Sequence, residues 1–154
     1  MNELLTSDNN PLSAKATRRL RIVVVAVLIA AAIAVAAVLV HRHHVRAVRA
    51  QVGEAIATAD GMRVAVALYR ARNGGAWPYD NSQAGLLSLS AVSGRYLDNA
   101  HIENGRIVIT LGGQADDALR GKQVVLTPYL SGSLVLWHCA SPDIARDLLP
   151  GNCR

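Results

Sequence analysis

The chain has 154 residues, with 16 Lys/Arg against 11 Asp/Glu and a formal net charge of +5. Residues 1–50 carry seven of the basic residues and two of the acidic ones, whereas residues 51–154 are neutral overall. Because the basic excess lies beside a single apolar stretch, the charge argues against a nucleic-acid-binding domain and favours a membrane-associated chain.

The N-terminal quarter of the chain predicts a tail followed by a membrane anchor. Residues 1–14 are polar and rich in turn formers, and we expect residues 1–20 to form a disordered cytoplasmic tail. Residues 22–40 are uninterruptedly apolar, and a helix of that length spans about 30 Å, the thickness of a bilayer core. A cleaved signal has a core of about 7–15 apolar residues and ends at a small-residue site. The Ala-Val-Ala of residues 34–36 lies inside the run, so we expect an uncleaved transmembrane helix at residues 21–40.

Two features orient this helix. Four Lys/Arg precede the apolar run and three follow it closely, a weak bias towards a cytoplasmic N-terminus. Cys139 and Cys153 form an even pair near the C-terminus, and disulfides persist in oxidising compartments. Two reduced thiols in a cytoplasmic domain are the alternative. We expect a Cys139–Cys153 bridge, with residues 41–154 on the outer side of the membrane. The side chains expected at the membrane interface are Lys15, Arg18, Arg19, Arg21, His41, Arg42, His43 and His44.

A second helical segment follows at residues 41–73. Its apolar residues recur at intervals of three or four, which places them on one face of a helix. The segment should end at Asn73 and the two glycines after it, since Asn and Gly adopt the left-handed cap conformation. We expect one continuous helix of about fifty residues, including the span. The apolar positions are Val45, Val48, Val52, Ile56, Ala59, Met62, Val66 and Tyr69.

The remainder of the chain predicts a loop and an antiparallel sheet. Residues 74–95 are rich in small and polar residues and favour a loop. Four strand candidates follow at residues 96–103, 106–111, 123–130 and 133–139. The first two are joined by Asn-Gly, the strongest short hairpin signal, and Pro128 indicates a sheet edge or strand end. The predicted fold class is therefore α+β, a long helix packed on a four-stranded antiparallel sheet over residues 96–140.

The soluble part resembles a type IV pilin. The helix sequence "RAQVGEAIATADGMRVAVALYRARNGGAWP" (residues 49–78) is similar to the helix of that family. It is followed in the family's order by "AGL", "SGRYL", "IENGRIVITL" and "LRGKQVVLTP". The final "VLWHCASPDIARDLLPGNCR" (residues 135–154) resembles the disulfide-closed C-terminal region of these proteins, here the loop 139–153. The resemblance implies a structural protein whose N-terminal half-helices bundle into a filament. The loop after the helix and the disulfide region would form contact faces.

The anchor departs from the family pattern. Pilin precursors carry a glycine before the cleavage site and a glutamate near the head of the apolar run. At the corresponding positions this chain has Arg19 and Val24, and His41 stands where many members have a helix proline. A bulky Arg19 should block cleavage by the prepilin peptidase, and Val24 cannot form the glutamate's pair with a neighbouring subunit's amine. We therefore expect the chain to remain in the membrane.

Several polar groups have both a functional and an ordinary interpretation. His41, His43 and His44 are either a metal cluster or a polar cap at the headgroups, and the cap is favoured. His101 and His138 are lone strand histidines, for which partners in the backbone or solvent are favoured over a catalytic role in an unrecognised periplasmic enzyme. Asp116-Asp117 favours a solvated turn over a cation site, and Trp77 and Trp137 favour core packing over exposed binding. The last candidate is a basic strip for DNA, or else a neutral surface, at Arg106, Arg120 and Lys122.

The sequence thus predicts no enzyme, cofactor, metal site or small-molecule substrate, and makes nucleic acid an improbable partner. We expect a single-pass protein of the bacterial inner membrane whose partners are the lipid bilayer and other pilins or pilus assembly proteins. Its predicted roles are pilus or cell-surface assembly and adhesion. The alternative is a non-polymerising membrane protein whose pilin-like periplasmic domain is an interaction or sensing module.

Overall fold

The computed structural model describes residues 11–86 and 94–154, with side chains from residue 17 onward. Residues 1–10 of the predicted tail and residues 87–93 of the predicted loop, including part of the "SGRYL" motif, lie outside the described residues. The chain divides into two compact units, one ending at Arg42 and the other running from His43 to Arg154.

The helical part comprises α1 (Pro11–Thr58) and α2 (Asp60–Arg72). The α1 helix begins earlier than the span predicted from residue 21, so residues 11–20 are helical rather than tail. Proline suits the first helical position because its fixed φ is helical and its missing N–H has no partner there. The predicted single helix is interrupted at Ala59, whose N–H bonds to Ile56 O at 3.1 Å, a tighter turn than the α-helical i−4 bond.

The apolar stripe of the helix faces the core of the second unit, as the 3–4 spacing predicts. Two of its eight positions, Val45 and Tyr69, are half-buried at the ends of the stripe. Ala55 lies on the same face and is also buried. The buried members of the stripe are Val48, Val52, Ile56, Ala59, Met62 and Val66.

Four antiparallel strands in the order β1-β2-β3-β4 form the sheet. They are β1 (Leu97–Glu103), β2 (Arg106–Leu111), β3 (Gln123–Ser131) and β4 (Leu134–Ala140). The pairings Ile102↔Ile107, Ile107↔Leu126 and Leu126↔Cys139 place these four residues in one row across the sheet. All four are buried in the same cluster as the helix stripe, so one face of the sheet packs on the helix. The predicted α+β fold is confirmed.

The turn between β1 and β2 has the geometry that its sequence predicts. Asn104 and Gly105 have φ values of 51° and 79°, both in the left-handed region that a two-residue hairpin turn requires. Gly105 also lies against Trp77, whose Cβ would be 2.9 Å from a Cβ added at this glycine. Position 105 therefore needs glycine for its backbone conformation and for its close contact with the loop after α2.

The strands leave the two halves of β3 in different environments. β2 pairs with β3 only as far as Leu126, whereas β4 pairs with β3 to Ser131. The distal half of β3 therefore has β4 as its neighbour on one side only, and Pro128 lies in that half. This placement agrees with the edge position that the missing N–H of proline predicts.

Candidate interaction surfaces

The C-terminal segment is closed onto the sheet by a disulfide and by hydrogen bonds. Cys139 of β4 is bonded to Cys153, as predicted, and both cysteines are buried. At the start of the segment, the Asp143 carboxylate accepts a hydrogen bond from Gln123 N at 3.1 Å, and Ser141 Oγ donates to Gln123 O at 2.5 Å. The segment is thus fixed at both ends against the last two strands.

A hydrogen bond also joins the C-terminal segment to the helix. Arg49 of α1 donates from Nε to the Asp147 carbonyl oxygen at 2.5 Å. Beside β4, the segment forms a depression of about 310 Å³ whose polar lining includes His138, Arg146 and Arg154. Arg154 is held there by a 3.0 Å bond from its Nε to Leu149 O. Arg146 and Arg154 thus bring two guanidinium groups to the lining of this depression.

The connection between β2 and β3 is tied to α1 through Asp116. The backbone N–H of Asp116 donates to Gln51 Oε1 at 2.8 Å, and its carboxylate lies 3.9 Å from His44 Nδ1. Asp116 Oδ1 also accepts from Ala118 N at 2.9 Å. The neighbouring Asp117 pairs with Arg120 at 2.8 Å. These contacts fit the predicted turn. They also join the connection between β2 and β3 to α1, which the sequence did not predict.

The loop after α2 covers the outer edge of β1. Asn81 Oδ1 accepts from Ile102 N at 2.6 Å, Tyr79 O accepts from Asn104 N at 2.9 Å, and Pro78 O accepts from Gly105 N at 2.7 Å. Trp77 in the same loop packs against the core and lies under the Arg70 guanidinium, 4.2 Å from the ring centre. The loop therefore accepts hydrogen bonds from one outward N–H of β1, at Ile102, and from both N–H groups of the turn after it.

Seven of the eight predicted interface residues, all except Lys15, are exposed on the helix. Arg18, Arg19 and Arg21 precede the apolar run, and His41 and Arg42 follow it, all in the first unit. Lys15 is within α1. His43 and His44 begin the second unit, where His44 makes the contact with Asp116. Across the described residues, no group of three His, Cys, Asp or Glu side chains is arranged to hold a metal ion.

The other candidate residues occupy ordinary structural positions. Arg106 pairs with Glu103 at 2.9 Å, and Arg120 pairs with Asp117, which favours the neutral-surface interpretation of the basic strip. Trp77 and Trp137 both pack against the core, as favoured from sequence. His101 and His138 lie far apart in the ladder, on β1 and β4. Sequence reasoning missed Arg49, Gln51 and Asn81, since their partners are distant in the chain and no local pattern marks them.

Membrane-spanning potential is confined to one place in the described residues. The helical segment Thr17–Arg72 is long and apolar enough to cross a bilayer, by length and composition, and its most apolar window has no buried residue. From residue 22 to residue 40 the large apolar side chains are 49–70% exposed. Such exposure over so long an apolar stretch is typical of a surface covered by lipid or by other helices.

The chain thus combines a long helix that has an uncovered apolar stretch with an antiparallel meander whose C-terminal end is closed by a disulfide. The family model described as pilin, a bacterial filament protein, matches residues 48–154. The chain belongs to the pilin family, which confirms the resemblance seen in the sequence and the expectation of a structural protein rather than an enzyme.

Individual relatives agree with this assignment. The chain is 37% identical over 95 residues to the type IV major pilin protein PilE of Neisseria gonorrhoeae, covering 61% of this chain and 56% of that protein. It is 33% identical over 105 residues to a fimbrial protein of Neisseria meningitidis serogroup A, covering 68% of this chain and 61% of that protein. The chain thus spans less than two thirds of the length of these curated relatives.

Proposed function

We propose that this pilin-family protein is held in the bacterial inner membrane by residues 21–40 and presents residues 41–154 in the periplasm. The observation that carries the proposal is the exposed apolar stretch of α1 at residues 22–40. Burying about twenty large and small apolar side chains in lipid removes the hydrophobic cost of exposing them to water. The flanking basic and histidine side chains would lie at the two headgroup layers.

The orientation follows from the disulfide. A buried Cys139–Cys153 bond suits a compartment in which thiols are oxidised, which in bacteria is the periplasm. A C-terminal domain on that side requires a cytoplasmic N-terminus, and Lys15, Arg18, Arg19 and Arg21 then lie on the side favoured by the positive-inside rule.

We propose a role in pilus or cell-surface assembly and adhesion, with other pilins or assembly proteins as partners. Support comes from the family and from relatives named as major pilins and a fimbrial protein. The contact faces would be the loop after α2 and the disulfide-closed segment, both fixed on the sheet by long-range hydrogen bonds. Because Arg19 and Val24 occupy the positions of the family's glycine and glutamate, the protein acts from the membrane rather than as a released subunit. A non-polymerising membrane protein with an interaction or sensing domain is the second candidate, favoured by the same two residues.

A labelling experiment tests the anchoring and orientation. The variants Ser7→Cys and Gln114→Cys each add one free cysteine and retain the native disulfide. Spheroplasts that contain either variant are treated with a membrane-impermeant maleimide. Position 114 should be labelled in intact spheroplasts and position 7 only after lysis. Labelling at position 7 without lysis would overturn the orientation, and recovery of the protein in the soluble fraction would overturn the anchoring.

Intact mass and filament shearing test whether the chain stays in the membrane, and a deletion then separates the two candidate roles. A chain with a start near Leu20 that is recovered in sheared filaments is a processed subunit. A chain that keeps residues before Leu20 and stays in the membrane fraction is a membrane-resident pilin. Loss of surface piliation or adhesion on deletion then supports an assembly role, whereas unchanged piliation and adhesion would favour the sensing alternative.

A further inference from the structure

Strand β4 lies at the end of the strand order, and its outer edge carries main-chain groups that the sheet does not use. The β3–β4 hairpin closes around a two-residue turn with the pair Ser131↔Leu134, which is therefore hydrogen-bonded. Bonded and non-bonded pairs alternate along an antiparallel ladder. Leu136 thus bonds to β3, whereas the N–H and C=O groups of Val135 and Trp137 point away from the sheet. Within the described ranges 11–86 and 94–154, no hydrogen bond from outside the sheet reaches this part of β4.

A depression of about 550 Å³ lies beside this edge, between the end of α2 and the β3–β4 hairpin. Its walls include Arg70 from the helix and Leu130, Leu134 and Val135 from the hairpin. Leu130 is 49% exposed and Leu134 is 65% exposed. Among the lining residues in the described part of the chain, Arg70 alone is charged. A concave, largely apolar surface with one fixed polar group is typical of a binding site.

The Arg70 guanidinium is held at the wall of this depression without a carboxylate partner among the described residues. Its Nη1 donates to the carbonyl oxygen of Gly75, and its carbon lies 4.2 Å from the ring centre of Trp77. Gly75 also lines the depression, and a Cβ added there would be 3.5 Å from Arg70 Nη2. A carbonyl and an aromatic ring fix the guanidinium but do not neutralise it, so its other N–H groups can bind a carboxylate.

We propose that the edge of β4 pairs with an extended segment of another protein, in which an acidic residue is flanked by apolar ones. The acidic residue lies opposite Val135. Val135 shares the helix-facing side of β4 with Cys139, and paired residues share a face, so the acidic side chain enters the depression and contacts Arg70. Its two neighbours lie on the other face, where Leu134 and Leu136 are 65% and 39% exposed. Main-chain bonds supply affinity, and the side chains supply specificity.

Charge favours an acidic segment over a second copy of this chain as the occupant. Residues 123–140 contain no Asp, Glu, Lys or Arg. The two depressions beside the edge bring guanidinium groups to both its ends, Arg70 next to the hairpin turn and Arg146 and Arg154 at the other. A second β4 in antiparallel pairing would bring the guanidinium groups of the two copies together, whereas an acidic segment is attracted to them.

Only residues of the second unit contribute to this site. The proposal therefore does not depend on the membrane anchor or on pilus assembly. Its failure would leave the proposed function standing, and the reverse also holds.

Two peptides test the charge. The probe is the acetylated and amidated peptide Thr-Val-Glu-Val-Thr, labelled with fluorescein through a spacer, and the matched peptide has Gln in place of Glu. Fluorescence anisotropy measures the Kd of each for the full-length chain in detergent micelles, with empty micelles as the blank. The Glu peptide should bind at least about tenfold more tightly, because only its carboxylate accepts charge-assisted hydrogen bonds from Arg70. Equal binding of the two peptides, or no binding of the Glu peptide above the blank, would overturn the proposal.

Two arginine variants locate the preference. Arg70→Gln should abolish the preference for the Glu peptide. Arg72→Gln is the matched control, because Arg72 is exposed on the same helix and does not line the depression. The control should keep the preference. A preference that survives in Arg70→Gln, or that is lost equally in both variants, contradicts the assignment of Arg70.

Hydrogen exchange of the unmodified chain tests the strand pairing and covers the case in which a variant misfolds. With saturating Glu peptide, exchange of the Val135 and Trp137 amides should slow at least about tenfold, because pairing protects them. The Leu136 amide is the internal control, since its N–H is already bonded to β3. Unchanged exchange at Val135 would overturn the pairing. Slower exchange on concentrating the protein without peptide would also overturn the proposal, because a second copy would then occupy the edge.

Discussion

Helix α2 offers two valines two positions apart with opposite environments. Val66 is fully buried in the core, whereas Val64 is 59% exposed. Truncating each to alanine makes the same chemical change on the same helix. The comparison therefore isolates the contribution of the helix–sheet core to stability.

For Val66→Ala we expect a loss of about 2 kcal/mol in the free energy of unfolding. Removing two buried carbon groups costs about 1.6 kcal/mol of transfer free energy, and the cavity left behind adds to that. The better helix propensity of alanine offsets about 0.5 kcal/mol. At Val64 only the propensity gain remains, so Val64→Ala should be neutral or stabilising by up to about 0.5 kcal/mol.

Urea unfolding of the full-length chain in detergent, followed by the fluorescence of Trp77 and Trp137, measures both values. With a slope of about 1–3 kcal/mol per molar urea, Val66→Ala should lower the midpoint by about 1 M. Equal midpoints for the two variants would refute the assignment of this helix face to the core. A larger loss for Val64→Ala would mean that the exposed face is covered by another molecule.

Three further predictions concern contacts between distant residues. Replacing both Cys139 and Cys153 by serine should lower the unfolding free energy by about 3 kcal/mol, because the bond closes a loop with a sequence separation of 14. Urea midpoints with and without reductant check this, and reductant should not change the midpoint of the variant. Gln51→Ala should lower the free energy of unfolding by about 1–2 kcal/mol, because the part-buried Asp116 N–H loses its acceptor. Gln114→Ala removes an exposed acceptor of Arg95 and should change the free energy of unfolding by less than about 0.5 kcal/mol. Equal effects in urea unfolding would contradict the role of the Gln51–Asp116 hydrogen bond. Gly105→Ala should destabilise the protein more than Gly132→Ala, since both glycines have positive φ but only the first substitution places a Cβ against Trp77. Thermal midpoints of the two variants provide the test. Equal shifts would show that the loop carrying Trp77 moves away from the added Cβ without cost.

Local patterns in the sequence predicted most of the fold. The 3–4 spacing identified the buried helix face from Val48 to Val66, because a helix brings such positions together regardless of the rest of the chain. The Asn-Gly pair fixed the β1–β2 turn, and the strand bounds agree with prediction to within about one residue. The pairing of Cys139 with Cys153 could be predicted because the chain has only two cysteines.

The features that position the candidate surfaces could not be predicted in this way. Asn81 bonds to Ile102 and Gln51 bonds to Asp116 because the folded backbone brings them together, and no periodicity in the sequence encodes either contact. The position of β4 at the end of the sheet also required the structure. Residues 123–140 contain no charged residue in the sequence. Only the strand order and register show that β4 is an edge strand and that β2 pairs with β3 only as far as Leu126.

The disulfide also determines how the second unit responds to force. A pull applied between residue 43 and the C-terminus would extend each unfolded residue to at most about 3.6 Å. The bond between Cys139 and Cys153, with its separation of 14 residues, removes about 50 Å from that length. The C-terminal segment therefore stays mechanically inextensible while the helix and the first strands unravel. Tension along the chain is carried by the disulfide and does not stretch the residues between the two cysteines.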